Sequence, residues 1–191
     1  MADSAIAALA RWPNLPHVYG WLSLDRRGQW RLQGSPITNS HITDYIARNY
    51  ASDERGAWFF QNGPQRVYVK LDYTPWILRI GEQQMLTTHT GQTIQVASAA
   101  LLDESGNLLI AFERGIGLIE DRDLPTLLDA LHDPAGKTAD EEALALIMSG
   151  ESASLTLDWQ ALHLPLAPER SSDILTRFGF IADPQPAPDP K

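Results

Sequence analysis

The chain has 191 residues, enough for one large or two small domains, with 43% apolar and 20% charged residues, an ordinary globular mixture. It contains no cysteine, which excludes disulfides, thiolate metal sites and cysteine nucleophiles and suits the reducing cytoplasm. The formal net charge is −9, with acidic residues concentrated between Asp103 and Glu142 and no strongly basic stretch, so a nucleic-acid duplex is not an expected partner.

No apolar run reaches the roughly 18 residues that a membrane span requires, so no membrane association is expected. The opening MADSAIAALARWPNLP lacks an early positive charge and carries Asp3, which makes a poor signal peptide. Ala5 to Arg11 predicts a short amphipathic helix, stopped before Pro13. Tyr19 to Leu24 and Trp30 to Gln33 read as strands around Asp25-Arg-Arg-Gly28, which has the Asp and Gly that tight turns favour. Gly34-Ser-Pro36 breaks the second strand. Asn39 or Ser40 then caps a helix with Ile42, Tyr45, Ile46 and Asn49 at helical spacing.

Ala57 to Gln61 predicts a strand and Asn62-Gly63 a hairpin turn. Arg66 to Asp72 alternates strictly. Val67, Val69 and Leu71 face one way, and Arg66, Tyr68, Lys70 and Asp72 the other. Tyr73-Thr-Pro75 interrupts the ladder, because proline has no N–H to donate, and Trp76 to Ile80 resumes it. Gln84 to Thr88 and Thr93 to Ala97 extend on either side of a His89-Thr-Gly91 turn. Arg114-Gly-Ile-Gly117 predicts a loop or bulge before a short strand at Leu118-Ile119. Leu124, Leu127, Leu128 and Leu131 mark one face of a helix, with Asp121 and Asp123 at its positive end. Thr138-Ala-Asp-Glu141 matches a capping box, opening a helix through Met148 that Gly150 stops. Ser154 to Asp158 and Leu162 to Leu166 form a last hairpin.

One piece of this chain occurs twice. Trp21 to Gly34, WLSLDRRGQWRLQG, and Ala99 to Glu113, AALLDESGNLLIAFE, both run apolar stretch, Leu-Asp-x-x-Gly, apolar stretch, then helix-like segment. The expected architecture is therefore α+β and duplicated: a first unit over 1–80 and a second over 81–180 with a C-terminal extension. Each holds a hairpin, a helix and further antiparallel strands. Pro184, Pro186, Pro188 and Pro190 predict that 181–191 is an extended, disordered tail.

The run Gly28-Gln-Trp30, Gly34-Ser-Pro-Ile37, Gly56-Ala-Trp58, Val67 and Tyr73-Thr-Pro-Trp76 resembles an uncharacterised bacterial family, domain of unknown function 1285. That family has a Gly-x-Trp hairpin, a Gly-x-Pro-Ile turn, a helix, a Gly-x-Tyr strand and an Asp-Ala-Pro-Phe-like element. Asp72-Tyr-Thr-Pro-Trp76 stands in the last place with one extra residue. Thr88-His-Thr-Gly91 matches a Thr-Asn-x-Gly-like turn, and Arg114-Gly-Ile-Gly-Leu118 with Arg122 matches an Arg/Gly-Leu strand and a following Arg. The similarity spans roughly Val18 to Leu131. It implies a duplicated core, a second half loosely like a pleckstrin-homology barrel, a nucleotide-like ligand between the halves and a signalling role.

Most apparent chemical motifs have structural explanations. Gly150-Glu-Ser152-Ala-Ser154 lacks the last glycine and preceding strand of a nucleophile elbow. Gly115-Ile-Gly117 has no Lys-Ser/Thr after it, as a phosphate loop needs. His17, His41, His89, His132 and His163 show no metal-ligand spacing, so no metal and no cofactor is expected. Asp121, Asp123, Asp140, Glu141 and Glu142 sit where helix dipoles favour anions. Of the six tryptophans, Trp21, Trp30, Trp58 and Trp76 fall in strands and suit a core, whereas Trp12, beside two prolines, suits the surface.

One constellation carries binding chemistry. Tyr68, Lys70 and Asp72 share a strand face, and Tyr73, Trp76 and Arg79 follow, with His89 and Arg114 able to join from the second unit. An aromatic platform beside cations suits a planar or anionic ligand. The leading expectation is a non-enzymatic ligand-binding or regulatory module whose small anionic or nucleotide-like ligand lies in the inter-unit groove. The alternative is a protein-interaction scaffold using the acidic surface and proline-rich tail. A hydrolase would use His89 with Asp72 or Asp103.

Overall fold

The structure is a computed structural model and describes residues 13–186. The helix expected at Ala5 to Arg11, the exposed Trp12, and Pro188 and Pro190 lie outside the described residues. The chain divides into two compact units, Met1–Pro75 with Gly179–Lys191, and Trp76–Phe178. Each unit carries its own sheet, and the fold is α+β.

In the first unit the strands are β1 (His17–Leu24), β2 (Trp30–Leu32), β3 (Ser35–Pro36), β4 (Tyr50–Ser52), β5 (Trp58–Asn62) and β6 (Gln65–Leu71), with helix α1 (Ser40–Arg48) between β3 and β4. Their order across the sheet is β3-β2-β1-β6-β5-β4. Asn39 caps α1 by accepting from the Ile42 N–H at 3.3 Å. The second unit contains β7 (Trp76–Ile80), β8 (Leu86–Thr88), β9 (Ala97–Asp103), β10 (Leu108–Phe112), β11 (Gly115–Ile119), β12 (Leu131–His132), β13 (Thr156–Trp159) and β14 (Leu162–Glu169). Helices α2 (Leu124–Leu128), α3 (Glu141–Met148) and α4 (Ser171–Phe178) complete it.

The second sheet runs β12-β13-β14-β9-β10-β11-β7-β8. Reading β4 as β12, β5 as β13, β6 as β14 and β1, β2, β3 as β9, β10, β11, six strands lie in the same spatial order as in the first unit. The duplication thus covers whole six-stranded units, with α3 inserted between the strands that match β4 and β5. Ladders are antiparallel except at three places. The parallel pairs are β1 with β6, its counterpart β9 with β14, and β7 with β11.

Four turns with one design hold these strands. At Asp25, Asp53, Asp103 and Asp133 the side-chain Oδ1 accepts the N–H groups two and four residues on, at 2.8–3.0 Å. The glycine three residues on donates back to the Asp carbonyl. A carboxylate therefore replaces the partners that the chain reversal takes from the backbone. Thr88-His-Thr-Gly91-Gln92 repeats the pattern, with Thr88 Oγ1 accepting from Gln92 N–H at 3.1 Å.

Several segments depart from the sequence reading. Gly115 to Gly117 is strand rather than loop, since Gly117 packs where any Cβ would stand 2.6 Å from Leu78. The leucine-faced helix stops at Leu128, and Leu131 lies in β12. Helix α3 is capped by Asp140, whose side chain accepts from Ala143 N–H, and not by a Thr138 box. Helix α4, anchored by the fully buried Ile174, was not expected.

Residues 181–186 do not trail away from the first unit. Ile181 pairs with Ala57, Ala182 accepts from Leu71 N–H at 2.7 Å, and Lys70 donates to Asp183 at 3.0 Å. Gly56 makes that docking possible: it has φ of +81°, and a Cβ there would lie 2.0 Å from the Gly179 carbonyl oxygen.

Burial separates the four aspartates. Asp103 is fully buried, and its Oδ2 also accepts from Asn107 Nδ2 at 2.7 Å, whereas the Asp133 turn faces solvent. Asp103→Ala should lower unfolding free energy by about 3 kcal/mol in a urea titration, because it removes a fully buried carboxylate that holds the Ser105 and Asn107 N–H groups and the Asn107 side chain. Asp133→Ala should cost under about 1 kcal/mol, since water replaces the carboxylate. Equal losses at the two positions would contradict this account of the turns.

Candidate functional site

The first unit contains an open cleft of about 580 Å³ whose walls include His17, Tyr19, Trp21, Arg55 and Tyr68. A break in a ladder builds it. Val18 pairs with Val67 and Leu22 with Val69, so four steps along β1 match two along β6. The extra residues form a bulge at Gly20, whose φ of +72° is favourable for glycine. In a regular strand Tyr19 and Trp21 already share a face, the one opposite Val18 and Leu22. The bulge spreads them over the single residue Tyr68 and opens the space between.

Tyr19 lies flat on Tyr68, with ring centroids 4.4 Å apart and planes 2° apart. The Asp53 turn supplies the cation. Asp53 Oδ2 accepts from Arg55 Nη2 at 3.1 Å and from the Tyr68 hydroxyl at 3.3 Å. One carboxylate thereby ties the turn, the guanidinium and the aromatic stack together. Partial burial resists ionisation of Asp53, but the Ala57 N–H and the Arg55 guanidinium and N–H outweigh it and hold the carboxyl below its ordinary range. Arg55 is raised in turn, first by its bond to Asp53 and then by one to Tyr19. Burial raises Tyr68, which remains a neutral hydroxyl donor. The Arg55 side chain stays 48% exposed, so its head is accessible to an anion.

The eight residues singled out from the sequence divide evenly between the units. Tyr68 lines the cleft but is only 3% exposed, because the β6 face expected to meet solvent is covered by Tyr19, Phe59 and Ile181. Lys70 is exposed and paired with Asp183. Asp72 is exposed, its N–H donating to Leu24, and Tyr73 carries the Arg26 guanidinium 4.7 Å above its ring. In the second unit Trp76 is buried, donates from Nε1 to the Arg114 carbonyl at 3.0 Å and packs 5.8 Å from the His89 ring. Arg79 pairs with the buried Glu120 at 2.7 Å. Trp76, assigned by the sequence reading to the first unit, thus lies in the second and contacts His89 and Arg114 there as packing. Asp103, named with His89 as a hydrolase pair, is engaged in its own turn.

His17, Tyr19, Trp21 and Arg55 are the cleft residues that sequence reasoning missed. The available signal was Gly20, an isolated glycine within a strand pattern, which often marks a bulge. Two other cavities have different chemistry. One of about 370 Å³ along α1 is lined by Leu22, Ile42, Ile46 and Phe60 and is almost wholly apolar. One of about 620 Å³ by β8 is lined by Glu82, Thr87, Thr93 and Gln95. Among these three, only the Tyr19–Trp21 cleft joins aromatic rings to a cation.

A family model, DUF2944, described as "Protein of unknown function (DUF2946)", matches residues 1–185. The chain belongs to this family. A DUF1285 family protein from Silicibacter pomeroyi DSS-3 is 16% identical, with a TM-score of 0.53 over 88% of this chain and 97% of that one. The DUF1285 resemblance is thus shown as a shared fold. A DUF1285 family protein from Shewanella baltica OS155 is 14% identical over 56% of this chain and 88% of its own, with a TM-score of 0.43. No curated protein matches. Among the described residues no His, Asp and Glu cluster is arranged to hold a metal, and no helix is long and apolar enough to cross a membrane.

His89 makes stability depend on pH. Its Nδ1 accepts from Ile77 N–H at 3.3 Å, a bond that protonation at Nδ1 destroys. Burial, and then the Arg79 charge, push its pKa down to about 3. Between pH 6.5 and 3 the unfolded chain binds a proton that the folded chain does not, so stability falls as pH falls through that window. The slope should approach but not exceed about 1.4 kcal/mol per pH unit. In urea titrations at pH 6.5 and 4.5, His89→Gln should lose less stability than the parent; an unchanged difference would contradict the assignment.

Proposed function

We propose that the protein is a non-enzymatic binding module whose ligand is a small planar anion, nucleotide-like in shape and charge, held in the first unit's cleft. The observation that carries the reading is the half-exposed Arg55 guanidinium fixed by Asp53 beside the Tyr19–Tyr68 stack and Trp21. A planar ring gains stacking energy on such a surface, and an anionic group gains a charge-assisted hydrogen bond from the guanidinium. The carboxylate nearest the cleft, Asp53, is held by two amides, Arg55 and Tyr68, which suits it to positioning rather than proton transfer. A cytoplasmic location, which the absence of cysteine suits, and a regulatory, signalling role complete the proposal.

The reading as an interaction scaffold with a proline-rich end gains one observation of its own: Pro186 lines the same cleft.

A thermal-shift panel of nucleosides and nucleotides tests the proposal. A ligand at 100 times its Kd adds about 2.7 kcal/mol, a rise of several degrees for a chain of this length. Trp21→Ala should abolish the shift. Arg55→Ala should weaken nucleotides about tenfold or more while leaving uncharged nucleosides nearly unaffected. A shift that survives both substitutions would place the ligand elsewhere, and no shift with any compound would overturn the reading.

A further inference from the structure

Helix α1 does not close onto the sheet it covers. Ile42, Tyr45 and Ile46 form its apolar stripe at i, i+3 and i+4, yet only Ile46 is buried, and Tyr45 keeps 41% of its surface exposed. Across from the helix stand Leu22 of β1 and Phe60 of β5. They share one face of the sheet, since the registers set them beside Val69 and Val67 of the intervening β6. The cavity of about 370 Å³ lies between these side chains. We propose that it holds a single alkyl chain of roughly ten carbons that ends in a neutral hydrogen-bonding head. Leu22 and Trp21 point to opposite faces of β1, so this site is separate from the Tyr19–Trp21 cleft. The inference does not rest on the ligand reading given for that cleft.

Size, lining and polarity choose the occupant. An engineered apolar cavity of about 150 Å³ in another protein stays dry and takes benzene, so 370 Å³ accommodates roughly a dozen carbon-sized atoms. Leu22, Ile37, Ile46 and Phe60 are buried and offer water no donor or acceptor, whereas each methylene of an alkyl chain gains by leaving water there. The polar lining comes from residues that reach the surface: His41 is exposed and Asn62 half-buried. Asn62 donates from Nδ2 to Gln65 at 3.3 Å and keeps Oδ1 to accept from a hydroxyl. That gradient orients an amphiphile with its tail inward and its head outward. Among the described residues no Asp, Glu, Lys or Arg lines the cavity, which selects a neutral head over a charged one. The Tyr45 ring stands edge-on to Phe60 with centroids 5.3 Å apart, so helix and sheet bound a slot that suits an extended chain.

Alkan-1-ols from butan-1-ol to dodecan-1-ol test the proposal on the full chain, with binding read from the methyl resonances of leucine and isoleucine. Each added methylene should tighten binding about fourfold, the gain from burying one CH₂. The gain should stop near decan-1-ol, when the cavity is full. Nuclear Overhauser contacts should link octan-1-ol to the methyl groups of Leu22, Ile42 and Ile46.

Ile42→Trp, which fills the slot from a half-buried position, should weaken octan-1-ol about tenfold or more by displacing methylenes. Asn62→Ala leaves the helix untouched and should weaken it about fivefold, the worth of one net hydrogen bond, which guards against a folding defect in the tryptophan variant. Adenosine monophosphate should bind Ile42→Trp as it binds the parent, so failure here and failure of the reading for the other cleft are distinguishable. No saturable shift with any alcohol, or octan-1-ol contacts confined to the Tyr19 and Trp21 rings, would overturn the proposal. So would an affinity that keeps rising past decan-1-ol, or a side chain of a second copy found against the Ile42 and Ile46 methyl groups.

Discussion

A carboxylate that accepts two amide protons across a chain reversal is the constraint on which both units depend. Each Asp-x-x-Gly-x corner reverses the chain while its carboxylate holds the turn's amides; at Asp25, Asp53 and Asp103 it joins two paired strands, and at Asp133 it returns the chain from β12 to a single bridge between His132 and Thr138 before α3. Asp25 and Asp103 occupy one place in the duplicated unit, Asp53 and Asp133 the other. The corners thus fix the registers that let two sheets with different side chains share one strand order. In the first unit this device acquires a second use. The free edge of the Asp53 carboxylate reaches the Arg55 guanidinium and the Tyr68 hydroxyl, converting a structural turn into a support for exposed charge.

The two units are alike in topology and unlike where it matters for binding. Trp21 and Ala99 are equivalent by the repeat, so Tyr19-Gly20-Trp21 stands where the second unit has Ala97-Ser98-Ala99. The pairing of β14 with β9 begins only beyond that stretch and runs from Ala100 to Asp103. The small side chains of Ala97, Ser98 and Ala99 leave no aromatic wall to build a site. Asp133 keeps the turn, but Ala135 stands in the place of Arg55 and has no charge to present. The cleft is therefore a feature of one copy, made by an aromatic pair and a single arginine added to a shared frame. Duplication explains the frame, and those side chains explain the difference.

Much of this fold was legible in the sequence because its signals are local. The alternation of β6, the Asn39 cap and the Asp25 and Asp103 corners each depend on residues a few positions apart. The Asp53 corner was harder to see, since Tyr50-Ala-Ser52 before it is not an apolar run like those flanking Asp25 and Asp103. Tyr68 shows the limit of periodicity. Alternation assigns its face correctly, but whether that face meets water depends on Ile181, which arrives from more than a hundred residues away. Lys70 was read as a ligand contact for the same reason, before the pairing with Asp183 could be known. Of the residues that the sequence pattern marked for a platform beside cations, Tyr68 alone lines the cleft. The bulge that opens it is written in one glycine.

The central claim is that the Asp53 turn and the Gly20 bulge together make a ligand site within the first unit. Chemical-shift mapping with adenosine monophosphate on the isotopically labelled full chain tests it most directly. The account predicts perturbations concentrated on the Tyr19 and Tyr68 rings, the Trp21 indole and the Arg55 side chain, growing to saturation with concentration. Saturable perturbations confined to Trp76, His89 and Arg114 instead, or none at any concentration, would contradict it.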